Sequence, residues 1–243
     1  MSNNTEHKLS IIIPVLNEAE TLATLLEHLF QNLSNTYKTE VLVVDGGSVD
    51  GSKLEFDRFN KEQPQFELRW ITSEVKGRAA QMNLGARNAT GSIFYFLHAD
   101  SYPPVAYDAY ILAQVIKGNP AGCFRMRFDD SHWWLKLAGW FTRFNWMICR
   151  GGDQSQVITR SLFEEIGGFN EAYKILEDNM LIADLYKRGQ FVVIPKTLTT
   201  SCRRYKRTGI WRLQYHFWMI YFKHRRGAGP EHLYAYYQKH LAK

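Results

Sequence analysis

Residues 92–104 (SIFYFLHADSYPP) hold five consecutive apolar residues, 93–97, with no polar alternation. Such a run reads as a strand buried on both faces in the middle of a parallel sheet. It ends at His98, Ala99 and Asp100, and Pro103 and Pro104 forbid its continuation. Open α/β sheets bind ligands at the carboxyl ends of their strands, so Asp100 is expected to offer oxygen to a divalent cation. Asp45 repeats the arrangement. It closes the apolar run 41–44, and Gly46 and Gly47 beside it let the backbone approach a ligand closely. Lys76-Gly77-Arg78 opens a helix, where outward amides and basic side chains suit an anion; a solvated helix start explains them equally well.

The elements that must position these groups follow from periodicity. Residues 9–15 (LSIIIPV) read as a buried strand, with Pro14 tolerable if pairing stops there. Asn17 and Glu20 resemble a capping box, with Asn17 as N-cap. Leu22, Leu25, Leu26, Leu29 and Leu33 then form one helical stripe. Ser48 and Asp50 read as a turn and an N-cap. A ragged strand at 66–72 precedes the helix that begins near Lys76 and runs to about Ala89. Strands alternating with helices from residue 9 to 100 predict parallel pairing with right-handed crossovers. The ends near residues 15–18, 45 and 100 should then line one edge. Neither G-x-G-x-x-G nor G-x-x-x-x-G-K-[ST] follows the first strand, which excludes dinucleotide-type and P-loop sites.

A chain of 243 residues can bury a large core. The first ten residues lack the basic-then-apolar pattern of a signal peptide, and no apolar run reaches the ~20 residues that span a bilayer. Cys123, Cys149 and Cys202 show no C-x-x-C, which points to reduced thiols and a cytoplasmic setting. The net charge of +6 is local. Residues 201–230 hold eight Lys/Arg and no Asp or Glu, leaving −2 for the rest. A local anionic partner is expected.

In the second half, 121–128 reads as a strand carrying Arg125 and Arg127. Trp133, Trp134, Trp140, Phe141, Phe144 and Trp146 crowd residues 133–149 and are expected in the core; the alternatives are an apolar acceptor pocket or a membrane-facing surface. Strands are expected at 155–159 and 191–195, and a short helix broken by two glycines at 163–169. Glu177 and Asp178 open a helix to Arg188 with Ile182, Leu185 and Tyr186 as its buried stripe; by themselves the acids are explained by the helix dipole. Residues 209–226 form a helix with Trp211, Tyr215, Trp218, Met219 and Phe222 as an apolar stripe among basic residues. It is expected to pack on the domain; the alternative is a helix on an anionic membrane, peripheral to its inner face. Pro230 begins a short terminal helix.

PVLNEAETL, VVDGGSVDGS, KGRAAQMNLGA, FLHAD and LEDNMLIADLYKRG, in this order, resemble family 2 glycosyltransferases of the GT-A fold, over residues 10 to about 204. The nearest pattern is that of small bacterial "family 2-like" transferases with HAD in place of D-x-D. The resemblance implies an α/β fold with a mostly parallel sheet and a C-terminal helical extension. It divides the chain into a polar leader (1–8), a catalytic domain (9–205, nucleotide-binding half 9–104 and acceptor half 105–205) and a basic, aromatic extension (206–243). It implies sugar transfer from a nucleotide-diphosphate sugar to a hydroxyl acceptor, with inversion and with Mg²⁺ or Mn²⁺. Pro14, Asn17, Glu18, Asp45, Arg78 and Asp100 would bind the donor nucleotide. Asp178 would be the general base. Asp153, Gln154, Glu177, Arg203 and Arg204 would lie near the acceptor or the diphosphate. Asp100 maps onto the metal-binding acid, while His98 is a metal ligand, a neighbour of the ligands or a polar strand end. The rivals are a nucleotidyltransferase, or a basic module binding membrane or nucleic acid. Acids in site-like positions would repel phosphates, so no nucleic acid is expected.

Overall fold

The structure is a computed structural model describing residues 7–151 and 154–241. Most of the leader and Asp153 lie outside the described residues. Strands β1 (Leu9–Val15), β2 (Thr39–Asp45), β3 (Glu67–Thr72) and β4 (Ile93–Phe96) alternate with helices α1 (Ala19–Gln31), α2 (Ser52–Glu62) and α3 (Arg78–Asn88). They pair in the parallel order β3-β2-β1-β4. The apolar runs are continuous because both faces are covered. Ile11 and Ile13 pack under α1 and α2, whereas Ile12 and Val44 pack under α3. The α3 contact is close: a Cβ on Gly85 would lie 2.4 Å from Ile12 Cγ2. Pro14 costs no ladder bond to β4, since that pairing stops at Ile12.

The sheet continues through β7 (Gln156–Thr159), β6 (Ala121–Phe128), β8 (Val192–Thr200) and β5 (Ser101–Tyr102). Here β7 runs antiparallel to β4 and β6, β8 runs parallel to β6, and β5 runs antiparallel to β8. The mostly parallel sheet expected from the sequence is therefore present, with an antiparallel insertion. Two strands differ from expectation. β5 adds two residues before Pro103. β8 passes through Pro195, because a register shift leaves Pro195 and Lys196 unpaired with β6.

The first helix starts differently from the expected capping box. Asn17 has φ +57° and precedes the N-cap position, which Glu18 holds without a side-chain cap bond. The loop after β2 supplies the cap: Asp50 Oδ2 accepts from Ala19 N (3.0 Å) and Ser52 Oγ from Glu18 N (2.9 Å).

α4 (Tyr107–Ile116) joins α1 and α2 on one face of the sheet. α6 (Arg160–Ile166) and α7 (Glu177–Lys187) join α3 on the other. α5 (Trp133–Phe141) overturns the expectation of an aromatic core. It buries only Leu135 and Gly139, while Trp133, Leu137, Trp140 and Phe141 face outward. The chain ends in α8 (Arg203–Thr208), α9 (Ile210–Arg225) and α10 (Pro230–Leu241). α9 and α10 share a small apolar cluster built on Leu213, Ile220, Leu233 and Leu241. The stripe expected to pack is turned away from this cluster: Trp211, Tyr215, Trp218 and Phe222 are exposed. Among the described residues, no helix is long and apolar enough to cross a membrane.

Candidate active site

The carboxyl ends of β1 and β2 are stitched into one platform. Gln81 of α3, itself buried, donates from Nε2 to Val15 O (2.8 Å) and Val44 O (2.7 Å). Gly46 packs closely above it: a Cβ there would lie 3.1 Å from the Gln81 amide, which would have to shift to make room. Asp45 folds the next turn by accepting from Ser48 N (3.0 Å) and Ser48 Oγ (2.6 Å). Asn17 locks onto that turn, with Oδ1 accepting from Val49 N at 2.9 Å and its backbone N–H donating to Ser48 Oγ at 2.8 Å. The structure thus brings Pro14, Asn17, Glu18 and Asp45 to one edge, as the sequence predicts, and gives Asn17 and Asp45 hydrogen-bonded places within it.

Asp100 follows β4 at the same end of the sheet. Its carbonyl accepts from Ser201 N (3.0 Å), which ties this edge to the end of β8. Arg203, in the first turn of α8, donates from Nη2 to both Glu18 carboxylate oxygens, at 3.0 and 2.9 Å. That hydrogen bond and the charges of Glu18 and Asp100 push the Arg203 guanidinium further up, against the cost of its partial burial. Burial and the Asp100 charge also push the nearby Tyr102 phenol up. Glu18, Asp100 and Arg203 therefore form one mixed-charge cluster.

Arg204 points elsewhere. Consecutive helical residues diverge by about 100°, and the Arg204 guanidinium lies 5.1 Å from the Phe217 ring centre and 5.2 Å from that of Tyr237. Of the expected basic pair, Arg203 faces the sheet edge at Glu18, and Arg204 does not.

The N-terminus of α7 forms the second half of the site. Leu176, at φ +64°, turns the chain so that the helix opens directly with Glu177 and Asp178, both buried. Glu177 Oε1 lies 2.7 Å from Arg78 Nε at the start of α3. Burial pushes the Glu177 carboxyl up, to about 7; the Arg78 charge opposes the shift, the Asp178 charge adds to it, and the His98 charge opposes it more weakly. His98 therefore acts electrostatically on Glu177 from the end of β4, and Arg78 faces the acid pair.

Asp178 opens into a pocket of about 550 Å³ that Arg78, Gln154, Asn179 and Arg204 also line. Gln154 is buried; its Nε2 donates to Cys149 O (2.7 Å) and its Oε1 accepts from Arg150 Nη1 (2.9 Å). Arg150 is a residue that sequence reasoning missed. It is buried and donates from Nη2 to the carbonyls of Thr142 and Phe144, both at 2.6 Å, which shapes the loop below the pocket. Its partners are two main-chain carbonyls, the Gln154 amide oxygen and the Cys123 sulfur, none of them acidic, so no spacing of acids and bases in the chain marks it. Tyr221 of α9 donates to Asn179 Oδ1 at 3.3 Å and brings the C-terminal helices to the pocket.

A doubly covered α/β sheet, with acids at its carboxyl edge and Asp178 opening into a pocket beside buried Glu177, is the GT-A arrangement. A family model described as "Glycosyl transferase family 2" matches residues 10–170. The chain belongs to this family. It is 38% identical over 94 residues to glycosyltransferase AglE of Haloferax volcanii, covering 39% of this chain and 31% of that protein. It is 26% identical over 199 residues to the undecaprenyl-phosphate 4-deoxy-4-formamido-L-arabinose transferase of Proteus mirabilis, covering 82% of this chain and 57% of that one. The chain thus spans less than two thirds of the length of these relatives. Among solved structures it resembles the mannosyltransferase PcManGT of Pyrobaculum calidifontis in complex with GDP-Man and Mn²⁺ (TM-score 0.69, 22% identity, 98% of this chain and 69% of that one). It also resembles S. aureus TarS residues 1–349 (TM-score 0.64, 18% identity, 81% and 61% covered). At these identities the structural likeness establishes the fold.

Proposed function

We propose that this chain transfers a sugar, with inversion, from a nucleoside-diphosphate donor to a hydroxyl acceptor. The observation that carries the reading is the buried acid pair of α7. Asp178 opens into the pocket, while Glu177 beside it is held by Arg78. The hydroxyl oxygen attacks the anomeric carbon and the bond from that carbon to the diphosphate oxygen breaks. The diphosphate takes the electron pair, and Asp178 takes the hydroxyl proton. The platform formed by Asn17, Glu18 and Asp45 orients the nucleoside, and Arg203 faces the charge that grows on the leaving group. Holding donor and acceptor in line supplies much of the remaining acceleration.

Among the described residues, no group of three or more His, Cys, Asp and Glu could hold a metal ion by itself. The donor set nonetheless fits a cation completed by substrate oxygens and water, as hard cations bind phosphorylated substrates. Asp100 would be the protein carboxylate, with His98 two residues away. When bound, Mg²⁺ or Mn²⁺ would neutralise the diphosphate as it departs. Structural neighbours solved with GDP-Man and Mn²⁺, and with UDP-GlcNAc, support a nucleotide-sugar donor and a divalent cation.

The test is release of nucleoside diphosphate from a panel of nucleotide sugars in the presence of acceptor alcohols. Asp178→Asn should lower turnover by about 10²–10⁴, the range for a lost general base, with donor affinity unchanged. Full turnover by the variant would remove Asp178 from the mechanism.

A further inference from the structure

Both helices that flank the pocket turn their aromatic side outward. Trp133, Trp146, Trp211 and Trp218 are each more than half exposed, and Ile148 is 80% exposed. On α5 the outward positions are 133, 137, 140 and 141; on α9 they are 211, 215, 218 and 222. Each set follows helical spacing, so each is a continuous stripe. The stripes join. Trp211 lies 5.8 Å from Trp133 and 5.5 Å from Trp134, Trp134 lies 6.0 Å from Trp218, and Trp134 Nε1 donates to Gln214 Oε1 at 3.2 Å. Exposed apolar area this concentrated marks a contact surface.

Charge identifies what the surface meets. Residues 131–152 and 201–230, which contain both stripes, include no Asp or Glu. Exposed Lys136, Arg143, Arg212, Arg225 and Arg226 surround the aromatics, and the Arg143 and Arg226 guanidiniums lie over the rings of Trp140 and Phe222 at 4.5 and 4.4 Å. A second copy of the chain would set this positive face against another. Amphipathic tryptophan and tyrosine ringed by arginine suit the boundary between acyl chains and anionic headgroups.

We infer that the joined outward faces of α5 and α9 dock this protein on an anionic lipid bilayer, with the Asp178 pocket opening onto the membrane. The pocket supports this orientation, because Phe141, Trp146, Ile148 and Tyr221 belong both to the exposed face and to the pocket wall that leads to Asp178. An amphiphilic alcohol with its apolar part in the bilayer would present its hydroxyl to Asp178; this last step rests on the glycosyl-transfer reading, whereas docking does not.

The experiment is co-sedimentation of the full chain with phosphatidylcholine vesicles, with and without phosphatidylglycerol, read also by the shift in tryptophan emission. Wild type should bind the anionic vesicles, less well at high salt, and bind neutral ones weakly. The triple variant Trp133→Ser/Trp140→Ser/Trp218→Ser should bind at least about tenfold more weakly, the scale of losing one well-buried aromatic. Should it misfold by circular dichroism, Trp140→Ser with Arg212→Glu is the second variant and should lose binding likewise. Asp178→Asn should keep docking, so lost transfer with retained docking counts against the catalytic reading alone. The inference is overturned if wild type ignores anionic vesicles, if the folded aromatic variants bind them equally well, or if the face proves to hold a dimer that these variants dissociate.

Discussion

Arg78 Nε lies 2.7 Å from Glu177 Oε1, and this ion pair ties the N-terminus of α3 to that of α7. The Gln81 bridge one turn further along α3 ties the same helix to the carboxyl ends of β1 and β2. A fully buried carboxylate is expensive without a counter-charge, and Arg78 supplies one beside Asp178. Because burial raises the Glu177 pKa to about 7, its contribution to stability is complete below its unfolded value and is lost as pH rises through about 7. Arg78 limits that loss. Arg78→Met should therefore cost about 1–2 kcal/mol near pH 8 and much less near pH 5, where the carboxyl is protonated in both proteins. The figure is discounted because the Arg78 side chain is 41% exposed. Denaturant unfolding at the two pH values checks this, and an equal cost at both would contradict it.

Glu40 titrates in the opposite sense. Burial alone would raise its pKa, but hydrogen bonds from Ser10 and Thr90, with the Lys8 charge, outweigh that and bring it to about 2. Its Oε1 accepts from Ser10 Oγ and Thr90 N, each at 2.6 Å, and its Oε2 from Arg69 Nη2 at 2.7 Å. A lowered pKa contributes stability above the unfolded value of 4.5 that is lost as pH falls toward 2. The shift corresponds to about 3 kcal/mol. Glu40→Gln should lower stability at neutral pH by about that much and flatten the acid limb of the stability curve. An unchanged acid limb would show that the network does not hold the carboxylate charged.

Arg203 shares one nitrogen, Nη2, between the two Glu18 oxygens on a partly exposed edge, where such a pair adds little to stability. Its value should lie in the ligand. Arg203→Gln is expected to leave unfolding nearly unchanged and to weaken nucleoside-diphosphate binding about tenfold, the scale of one charge-assisted hydrogen bond. Titration of the variant measures this; unaltered affinity would detach Arg203 from the donor site.

Much of this architecture is legible in the chain because local and global signals agree. The runs 11–15, 41–44 and 93–96 are apolar without alternation, the pattern of strands covered on both faces. Acids at those ends, and Glu177-Asp178 at a helix start, fall where the structure gathers them. What escaped depends on partners distant in sequence. Asn17 does not cap the helix, because Asp50 and Ser52, at the start of α2, take the free amides. Pro195 does not end its strand, since a register shift excuses its missing donor. The tryptophans of α5 looked like core because apolar stripes normally turn inward; nothing in their spacing records that Gly139 packs on β6 and leaves them outside. Arg150 carries no signal in the chain because neutral groups hold it, two main-chain carbonyls, Gln154 and Cys123, with no acid to pair it with.

The central claim is a donor site built on the β1–β2–β4 edge with Asp100 at its metal-binding corner. Calorimetric titration of the chain with UDP, GDP and CDP, each with and without Mn²⁺, tests it most directly. One nucleotide should bind, more tightly with Mn²⁺, and Asp100→Ala should lose the metal-dependent part. No binding by any of the three, or metal-dependent binding that survives Asp100→Ala, would contradict the account.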